Sequence, residues 1–251
     1  MIPSALSTRG LSKSWGGFAA NSDVTLDLPV GARHALIGPN GAGKTTFINL
    51  LTGVIRPTRG DVFLGGETIT HLSQERRVAK GLARTFQINT LFPGLTVIEA
   101  VVLAILERKG LGGRWFRSVR DHAAEIEEAR ALLADLHLAA QAETTIGVLA
   151  YGKQRLLEIV LALATRPKIL LLDEPAAGIP AGESTEVFEV IARLPADVTV
   201  LFIEHDMDLV FRFASRITVL VGGRVLTEGT PDEIVADRRV REVYLGEAQH
   251  G

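Results

Sequence analysis

The chain has 251 residues, enough for one large domain or two modest ones, and its 47% hydrophobic content supports a real core. The formal net charge of -2 gives no basic excess for nucleic-acid binding, and the absence of cysteine excludes disulfides and cysteine metal sites. No apolar run approaches the roughly 20 residues of a membrane-spanning helix, and the first residues lack a basic segment followed by an apolar one. We therefore expect neither a membrane span nor a signal peptide.

Short strands dominate the first part of the chain. Alternating apolar and polar residues between positions 6 and 28 predict an antiparallel hairpin or meander, with Gly16 and Gly17 at a turn inside it. Apolar runs predict three more strands, and helical spacing predicts one helix that Gly53 ends. The strands are expected at residues 35–37, 61–64 and 82–86, and the helix at residues 47–51. A charged cluster further on predicts a solvated helix face: Arg76, Arg77 and Lys80.

The segment between the strand at residues 35–37 and this helix has the pattern G-x-x-x-x-G-K followed by Thr, which is typical of a phosphate-binding loop, the Walker A motif. Its glycines allow the backbone to close around phosphates, so that loop N–H groups and the helix N-terminus face the anion. Lys44 adds a full charge toward the terminal phosphates, and the hydroxyl of Thr45 is a ligand for Mg²⁺. We therefore expect one continuous set of residues to bind a nucleotide: Gly38, Pro39, Asn40, Gly41, Ala42, Gly43, Lys44, Thr45 and Thr46.

A helical segment follows between residues 89 and 147. Thr96 and Glu99 have the spacing of a capping box, which opens a helix reaching about Lys109. Amphipathic spacing predicts a second helix over residues 119–138. We interpret the whole segment as a helical insert between two α/β halves.

The remaining sequence alternates between helix and strand, which predicts a mostly parallel sheet wrapped by helices. Gly222 and Gly223 predict a hairpin turn into a strand at residues 224–228. Residues 230–233 have the pattern of another capping box, with Pro231 at the first position of a last helix. The alternating elements are helices at 154–165, 182–194 and 206–214 and strands at 168–172, 198–203 and 217–221.

Two carboxylates end the strand expected at residues 168–172, in the pattern called Walker B. Asp173 can hold Mg²⁺, directly or through water, because Mg²⁺ prefers oxygen ligands and keeps several waters. Glu174 can polarise the water that attacks a γ-phosphate. The alternative is a strand that ends in solvated acids.

Residues 149–155 resemble the signature motif of ATP-binding-cassette (ABC) ATPases. Gln87 matches the Q-loop of that family, His205 matches its switch histidine, and residues 177–180 fall where its D-loop belongs. The resemblance covers nearly the whole chain in the right order. It implies an α/β fold: a P-loop NTPase core with a mostly parallel sheet, an antiparallel β subdomain, and a helical insert carrying the signature. As one nucleotide-binding domain, the chain would divide into an ATP-binding core and a helical subdomain: residues 1–88 with 155–251, and residues 89–154.

The same resemblance implies roles for the motif residues. Two such domains would close head to tail over two ATP molecules, with the phosphate loop of one facing the signature of the other. Gln87 would contact Mg²⁺ or the attacking water, and His205 would hold the γ-phosphate. An aromatic residue near the N-terminus stacks on adenine in this family, so we expect Trp15 to take that role, with Phe18 as the rival and core packing as the alternative. The signature residues that would meet the partner's nucleotide are Ala150, Tyr151, Gly152 and Lys153.

Three positions depart from the usual family pattern. Ala150 replaces a common Ser and so lacks a hydroxyl donor, while Lys153 replaces a Gln and brings a charge that could compensate. Pro180 stands where the D-loop usually has Asn or Asp, and it has no N–H. These departures predict slow or partner-dependent hydrolysis.

Four segments together resemble the nucleotide-binding subunits of branched-chain amino-acid importers, and relatives that serve urea or short amides look similar: residues 83–87, 173–178, 203–207 and 244–248. This resemblance implies an ATP- and Mg²⁺-dependent hydrolase on the cytoplasmic face of the membrane, paired with a second ATP-binding subunit. It would power a separate permease supplied by an extracytoplasmic solute-binding protein, with no nucleic-acid partner. The alternatives are the ATPase of another transporter such as a lipid exporter, a soluble ABC protein acting on DNA or ribosomes, and a P-loop kinase or small GTPase. The cargo and the composition of the dimer stay open.

Overall fold

The computed structural model describes residues 3–85, 91–111 and 122–247 of the chain. It divides into two compact units. The first unit comprises Met1–Arg84, Lys168–Pro175 and Ala192–Gly251, and the second comprises Thr85–Pro167 and Ala176–Ile191.

The described residues form ten strands and nine α-helices. The strands are β1 Ser4–Trp15, β2 Phe18–Pro29, β3 Arg33–Ile37, β4 Arg59–Leu64, β5 Glu67–Thr68, β6 Leu82–Arg84, β7 Ile169–Asp173, β8 Thr199–Ile203, β9 Arg216–Val221 and β10 Arg224–Gly229. The helices are α1 Lys44–Thr52, α2 Gln74–Ala79, α3 Val97–Arg108, α4 Ala123–Asp135, α5 Tyr151–Ala164, α6 Ala181–Ala192, α7 Met207–Phe213, α8 Pro231–Ala236 and α9 Arg238–Glu247. None of these helices is both long and apolar enough to cross a membrane.

The first unit contains a four-stranded antiparallel sheet in the order β2-β1-β4-β5. Gly16 and Gly17 turn the chain between β1 and β2, which confirms the predicted hairpin. In the register of this hairpin, Trp15 pairs with Phe18 directly beside the turn. The tight turn therefore places two aromatic residues side by side at the tip of the sheet.

The same unit contains a six-stranded sheet in the order β10-β9-β3-β8-β7-β6. The five strands from β9 to β6 are parallel, and only the edge strand β10 is antiparallel, which confirms the prediction of a mostly parallel sheet. Because parallel strands share a carboxyl edge, the segments that follow β3, β7 and β8 meet there. Those segments begin with Gly38, Glu174 and Glu204. The sheet thus collects the predicted phosphate loop and the predicted carboxylates at one edge.

A hydrophobic cluster joins both sheets of the first unit to α1. Phe47, Ile48, Leu50 and Leu51 of the helix are fully buried in it. Burying each such side chain contributes on the order of 1.5–3 kcal/mol relative to exposure. The helix that begins at the phosphate loop is therefore held over most of its length by core packing.

Arg77 corrects one prediction, because its side chain is only 1% exposed rather than solvated. Its guanidinium donates to the carbonyls of Leu50 and Leu51 at 2.8 and 2.6 Å, and to those of Thr70 and Leu72. The last carbonyls of a helix have no intrahelical partner, so a buried cation with several donors is suited to the end of α1. Of the rest of the predicted cluster, Arg76 is exposed, and Lys80 is half-buried and pairs with Glu67.

The second unit is helical, with α3 packed against α4 and α5. The capping box that opens α3 is present as predicted: Thr96 accepts from the Glu99 N–H, and the Glu99 carboxylate accepts from the Thr96 N–H. Helix α4 ends at Asp135, earlier than predicted, and the predicted start at residues 119–121 lies outside the described residues. The end is a Schellman motif, in which His137 has φ 59° and the N–H of Leu138 donates to the carbonyl of Leu133.

Two other boundaries differ from the sequence prediction. Helix α5 begins at Tyr151, three positions earlier than predicted. The single last helix is in fact two, because Asp237 adopts an extended backbone after α8 and its carboxylate accepts from the N–H of Arg239 in α9. An Asp at such a position caps a new helix rather than continuing the old one.

Candidate nucleotide-binding site

The phosphate loop lies between β3 and α1, and its backbone conformation requires glycine at two positions. Gly38 has φ 153° and Gly43 has φ 95°. A Cβ at position 38 would collide with the carbonyl of Leu220, and one at position 43 with the carbonyl of Ala20. These contacts explain why residues without a side chain stand at both ends of the loop.

Lys44 is the first residue of α1 and is almost completely buried. Its ammonium donates to the carbonyls of Gly38 and Pro39, the latter at 3.0 Å. The side chain therefore folds back over the loop that precedes it. This position concentrates positive charge at the mouth of the loop, next to the helix N-terminus.

The loop is braced from outside by two segments that the sequence analysis did not select. Asn21 of β2, which is 1% exposed, donates from Nδ2 to the carbonyl of Gly43 at 3.2 Å. The N–H of Gly223, in the turn between β9 and β10, donates to the carbonyl of Ala42 at 3.0 Å. The N–H of Ser22 donates in turn to the carbonyl of Gly223. The signal in the sequence is a polar Asn at a buried strand position, which requires a partner.

Both candidate aromatic residues are exposed at the tip of the hairpin. Trp15 is 49% exposed and Phe18 is 65% exposed. The ammonium of Lys13 lies 5.2 Å from the centroid of the Trp15 ring and also donates to the carbonyl of Arg56. Each ring is available for stacking, and the geometry does not choose between them.

A cavity of about 300 Å³ unites most of the predicted residues of the first unit. Its lining comprises Trp15, Phe18, Ala20, Asn40, Gly41, Ala42, Gly43, Lys44, Thr45, Thr46, Glu174 and His205. The lining combines two aromatic rings, the N–H-rich loop, and a carboxylate paired with an imidazole. This set of groups suits a base, a row of phosphates and a reacting centre.

Glu174 and His205 contact each other at the carboxyl edge of the sheet, where Nε2 of His205 lies 2.8 Å from Oε1 of Glu174. Glu174 has φ 52°, a left-handed conformation that is uncommon for a residue with a side chain. Its N–H donates to the carbonyl of Ile203, the last residue of β8. This conformation, which typically costs about 1–3 kcal/mol, is held by the adjacent strand and turns the carboxylate into the cavity.

Asp173, the preceding residue, is paired with Arg84, a residue whose contact the sequence analysis did not predict. Nη2 of Arg84 lies 2.7 Å from Oδ2 of Asp173, and Nη1 of the same side chain donates to Oδ1 of Asn49 at 2.7 Å. Both contacts join residues far apart in the chain. Arg84 therefore links the end of β6 to β7 and to α1.

The signature residues belong to the second unit. Ala150 is the N-cap of α5 and gives no side-chain hydrogen bond there. Tyr151 is partly exposed, and a Cβ on Gly152 would meet the carboxylate of Glu183. Lys153 pairs with Glu186 at 2.8 Å, so its ammonium is engaged rather than presented alone at the start of the helix. Gln87 lies outside the described residues.

The chemistry of the donors fits a nucleotide with Mg²⁺. Over residues 3–85, 91–111 and 122–247, no cluster of three or more His, Asp or Glu residues could hold a metal by itself. Mg²⁺ bound with a nucleotide takes only one or two protein oxygens, the rest coming from phosphates and water. Thr45 and Asp173 offer oxygen atoms of that kind.

Comparison with known proteins gives matches over nearly the whole chain. The family model described as ABC transporter matches residues 21–177, and that of the branched-chain amino acid ATP-binding cassette transporter matches residues 224–250. The high-affinity branched-chain amino acid transport ATP-binding protein BraF of Pseudomonas aeruginosa is 41% identical, over 97% of this chain and 98% of that protein. The protein LivG of Escherichia coli K12, with the same description, is 40% identical over the same shares.

Solved structures resemble the chain equally completely. A crystal structure of the ADP conformation of an ATP-binding cassette from an ABC transporter superposes with a TM-score of 0.85 at 29% identity. The match covers 97% of this chain and 99% of that one. A nucleotide-free ATP-binding cassette superposes with a TM-score of 0.84, also at 29% identity, over 96% and 98% of the two chains.

Proposed function

The chain belongs to the ATP-binding-cassette transporter family as an ATP-hydrolysing subunit, and on that premise we propose that it powers an importer of branched-chain amino acids. The observation that carries the proposal is the similarity to BraF and LivG over almost the whole length of each protein. The match of residues 224–250 to the branched-chain family model supports the same cargo.

The proposed working unit is a pair of cassettes at the cytoplasmic face of the membrane, attached to a permease that receives its cargo from an extracytoplasmic binding protein. Within the pair, the signature of one chain meets the nucleotide on the phosphate loop of the other. The start of α5 supports this arrangement, because no side chain caps it and its first turn carries no acidic residue. Its first N–H groups therefore suit an anion brought by a partner. The residues assigned to this contact are Ala150, Tyr151, Gly152 and Lys153.

In the proposed hydrolysis, Lys44 and the loop N–H groups bind the phosphates and stabilise the charge that develops on them. Glu174 takes the proton of the attacking water, and His205 contacts the γ-phosphate. The distance of 2.8 Å between His205 and Glu174 supports this division, because the imidazole can orient the carboxylate while facing the cavity. Bound Mg²⁺ would neutralise phosphate charge.

The Mg²⁺ ligands in this proposal are Thr45 and Asp173, with Gln87 as a further contact. Adenine stacks on Trp15 or Phe18. The functional division of the chain is an ATP-binding core, residues 1–88 and 155–251, with a helical subdomain, residues 89–154.

The proposal is tested by isolating the tagged chain from its native membranes in mild detergent and identifying the proteins that co-purify. We expect a polytopic permease. The purified complex is then placed in vesicles with its binding protein, and ATP-dependent uptake of labelled leucine, urea and acetamide is measured. Uptake of leucine alone supports the proposed cargo, and uptake of urea or acetamide alone overturns it.

A matched complex with Lys44→Ala serves as the control and should transport nothing. If the chain co-purifies with soluble or nucleic-acid-bound proteins and without a permease, the importer proposal is wrong. The assignment of ATP hydrolysis to this chain would still stand in that case.

A further inference from the structure

We propose that Arg84 is a positioning residue for the Mg²⁺ site, because its guanidinium holds the two segments that carry the metal ligands at a fixed spacing. The inference rests on the roles proposed above for Thr45 and Asp173. It adds a residue that contacts neither the nucleotide nor the ion in this assignment.

The guanidinium makes two charge-assisted hydrogen bonds of equal length. Nη2 donates to Oδ2 of Asp173 at 2.7 Å, and Nη1 donates to Oδ1 of Asn49 at 2.7 Å. The side chains of Arg84 and Asp173 are 20% and 22% exposed, so water only partly screens the pair. A planar fork with both arms engaged has little freedom to turn.

The hydrogen bond from Nη1 of Arg84 to Asn49 connects the side chain to the helix that carries Thr45. Asn49 lies four residues after Thr45 on α1, and positions four apart in a helix lie on the same face. Arg84 therefore contacts α1 one turn below the hydroxyl assigned to Mg²⁺, while its first arm contacts the carboxylate assigned to Mg²⁺. The side chain spans the two elements that must keep a fixed separation for one small ion to reach both ligands.

The contact also orients the carboxylate. Arg84 engages Oδ2 of Asp173, which leaves Oδ1 as the oxygen for a hard cation or its water in this proposal. Hydrogen-bond partners of this kind fix the rotamer of a ligand, and removing one typically weakens metal binding about 10–100-fold. A lysine could keep the charge next to Asp173, but a single ammonium cannot reproduce the planar fork to Asn49.

The test measures metal binding without turnover, in chains that also carry Glu174→Gln. Mn²⁺ serves as the probe, and the free ion is followed by electron paramagnetic resonance in the presence of saturating ATP. We expect Arg84→Gln to raise the half-saturating Mn²⁺ concentration about 10–100-fold. Arg84→Lys and Asn49→Ala should each give a smaller increase. Metal-free ATP binding in EDTA should stay unchanged in all three variants.

The control is Arg108→Lys in the second unit, where Arg108 pairs with Glu128 at 2.9 Å and is about as buried as Arg84. This variant replaces a guanidinium in a comparable ion pair by an ammonium, and it should leave Mn²⁺ binding unchanged. If Arg84→Gln lowers the affinity for ATP equally with EDTA present and with Mn²⁺ present, Arg84 has only a structural role and the inference is wrong. If Arg84→Gln does not fold, Arg84→Lys and Asn49→Ala decide alone, and unchanged Mn²⁺ binding in both overturns it.

Asp173→Asn separates this inference from the proposed site. Weaker Mn²⁺ binding in Asp173→Asn together with normal binding in Arg84→Gln would refute only the role of Arg84. Normal Mn²⁺ binding in Asp173→Asn would refute the proposed metal site itself.

Discussion

Helices α1 and α5 begin in a similar chemical way, yet their surroundings differ. Neither start has a capping side chain or an acidic residue in its first turn, whereas α3, α7 and α8 have both. Side-chain caps satisfy the free N–H groups of a helix, so their absence leaves these groups for another acceptor. The two helices proposed to meet phosphate are thus distinguished from helices whose starts are closed by the chain itself.

The difference lies in what holds each start. The start of α1 is braced by Asn21 and by the turn at Gly223, and Lys44 covers it. At the start of α5, the exposed carboxylate of Glu183 lies next to Gly152, and Lys153 pairs with Glu186. We infer that the start of α1 binds phosphate with groups of its own chain, whereas the start of α5 meets a nucleotide held by the second chain of the proposed pair.

The largest effect is expected at the reacting end of the first site. Glu174→Gln should lower the turnover rate about 100-fold or more, because general bases typically contribute that much, while ATP binding persists. Turnover is measured by phosphate release and binding by calorimetry. Glu127→Gln, at an exposed acid of α4, is the control. Near-normal turnover of Glu174→Gln would disprove the role given to this residue.

The same substitution, glycine to alanine, at each of the two helix starts tests the difference between them. Gly43→Ala places a Cβ against the carbonyl of Ala20 at φ 95°. Strain of this kind costs about 1–3 kcal/mol, so we expect ATP affinity to fall roughly 5–150-fold. In Gly152→Ala the added Cβ first meets the Glu183 side chain, so ATP binding by the single chain should persist while hydrolysis by the pair falls. Equal loss of ATP binding in both variants would contradict the distinction. Circular dichroism checks that each variant is folded.

A smaller effect is expected from the brace. Asn21→Ala removes the hydrogen bond to the carbonyl of Gly43, and such a bond contributes about 0.5–1.5 kcal/mol, so ATP affinity should fall roughly 2–10-fold. Thr8→Ala is the control, because Thr8 is equally buried in the same hairpin and bonds within it. Thr8→Ala should lower thermal stability without changing ATP affinity. If both variants change affinity alike, Asn21 does not act specifically on the loop.

The smallest effect concerns the start of α5. Glu183→Gln removes a negative charge beside Gly152, and a charge near a helix N-terminus contributes about 0.3–1 kcal/mol. Because this carboxylate is exposed, we expect at most a few-fold tighter ATP-dependent pairing of two chains, measured by analytical ultracentrifugation in the Glu174→Gln background. Unchanged pairing would mean that Glu183 does not influence the signature.

Features whose signals are local in the sequence were predicted well. The hairpin with its two glycines, the capping box at Thr96, and the strand and helix around the phosphate loop all depend on neighbouring residues. The end of α4 was missed because His137 takes a position where glycine is usual.

Arg77, Arg84 and Asn21 could not be interpreted from the sequence, because each has a partner that lies between 22 and 89 residues away. A charged residue on a short helix predicts an exposed side chain. Arg77 is an exception because the end of α1, which is distant in the sequence, lies against it. The roles assigned to the site residues stay predictions until the variants above are measured.

The brace around the phosphate loop has a consequence for the timing of nucleotide exchange. The hydrogen bonds from Asn21 and Gly223 remove backbone conformational entropy from the loop while the protein folds, so the encounter with a nucleotide does not have to remove it again. Association at this loop should then approach the rate of diffusional docking, and the residence time of the nucleotide should depend on how fast its own contacts break. Because the phosphate loop is already ordered, we expect the slow steps of the nucleotide cycle to lie in other parts of the proposed assembly, which must move.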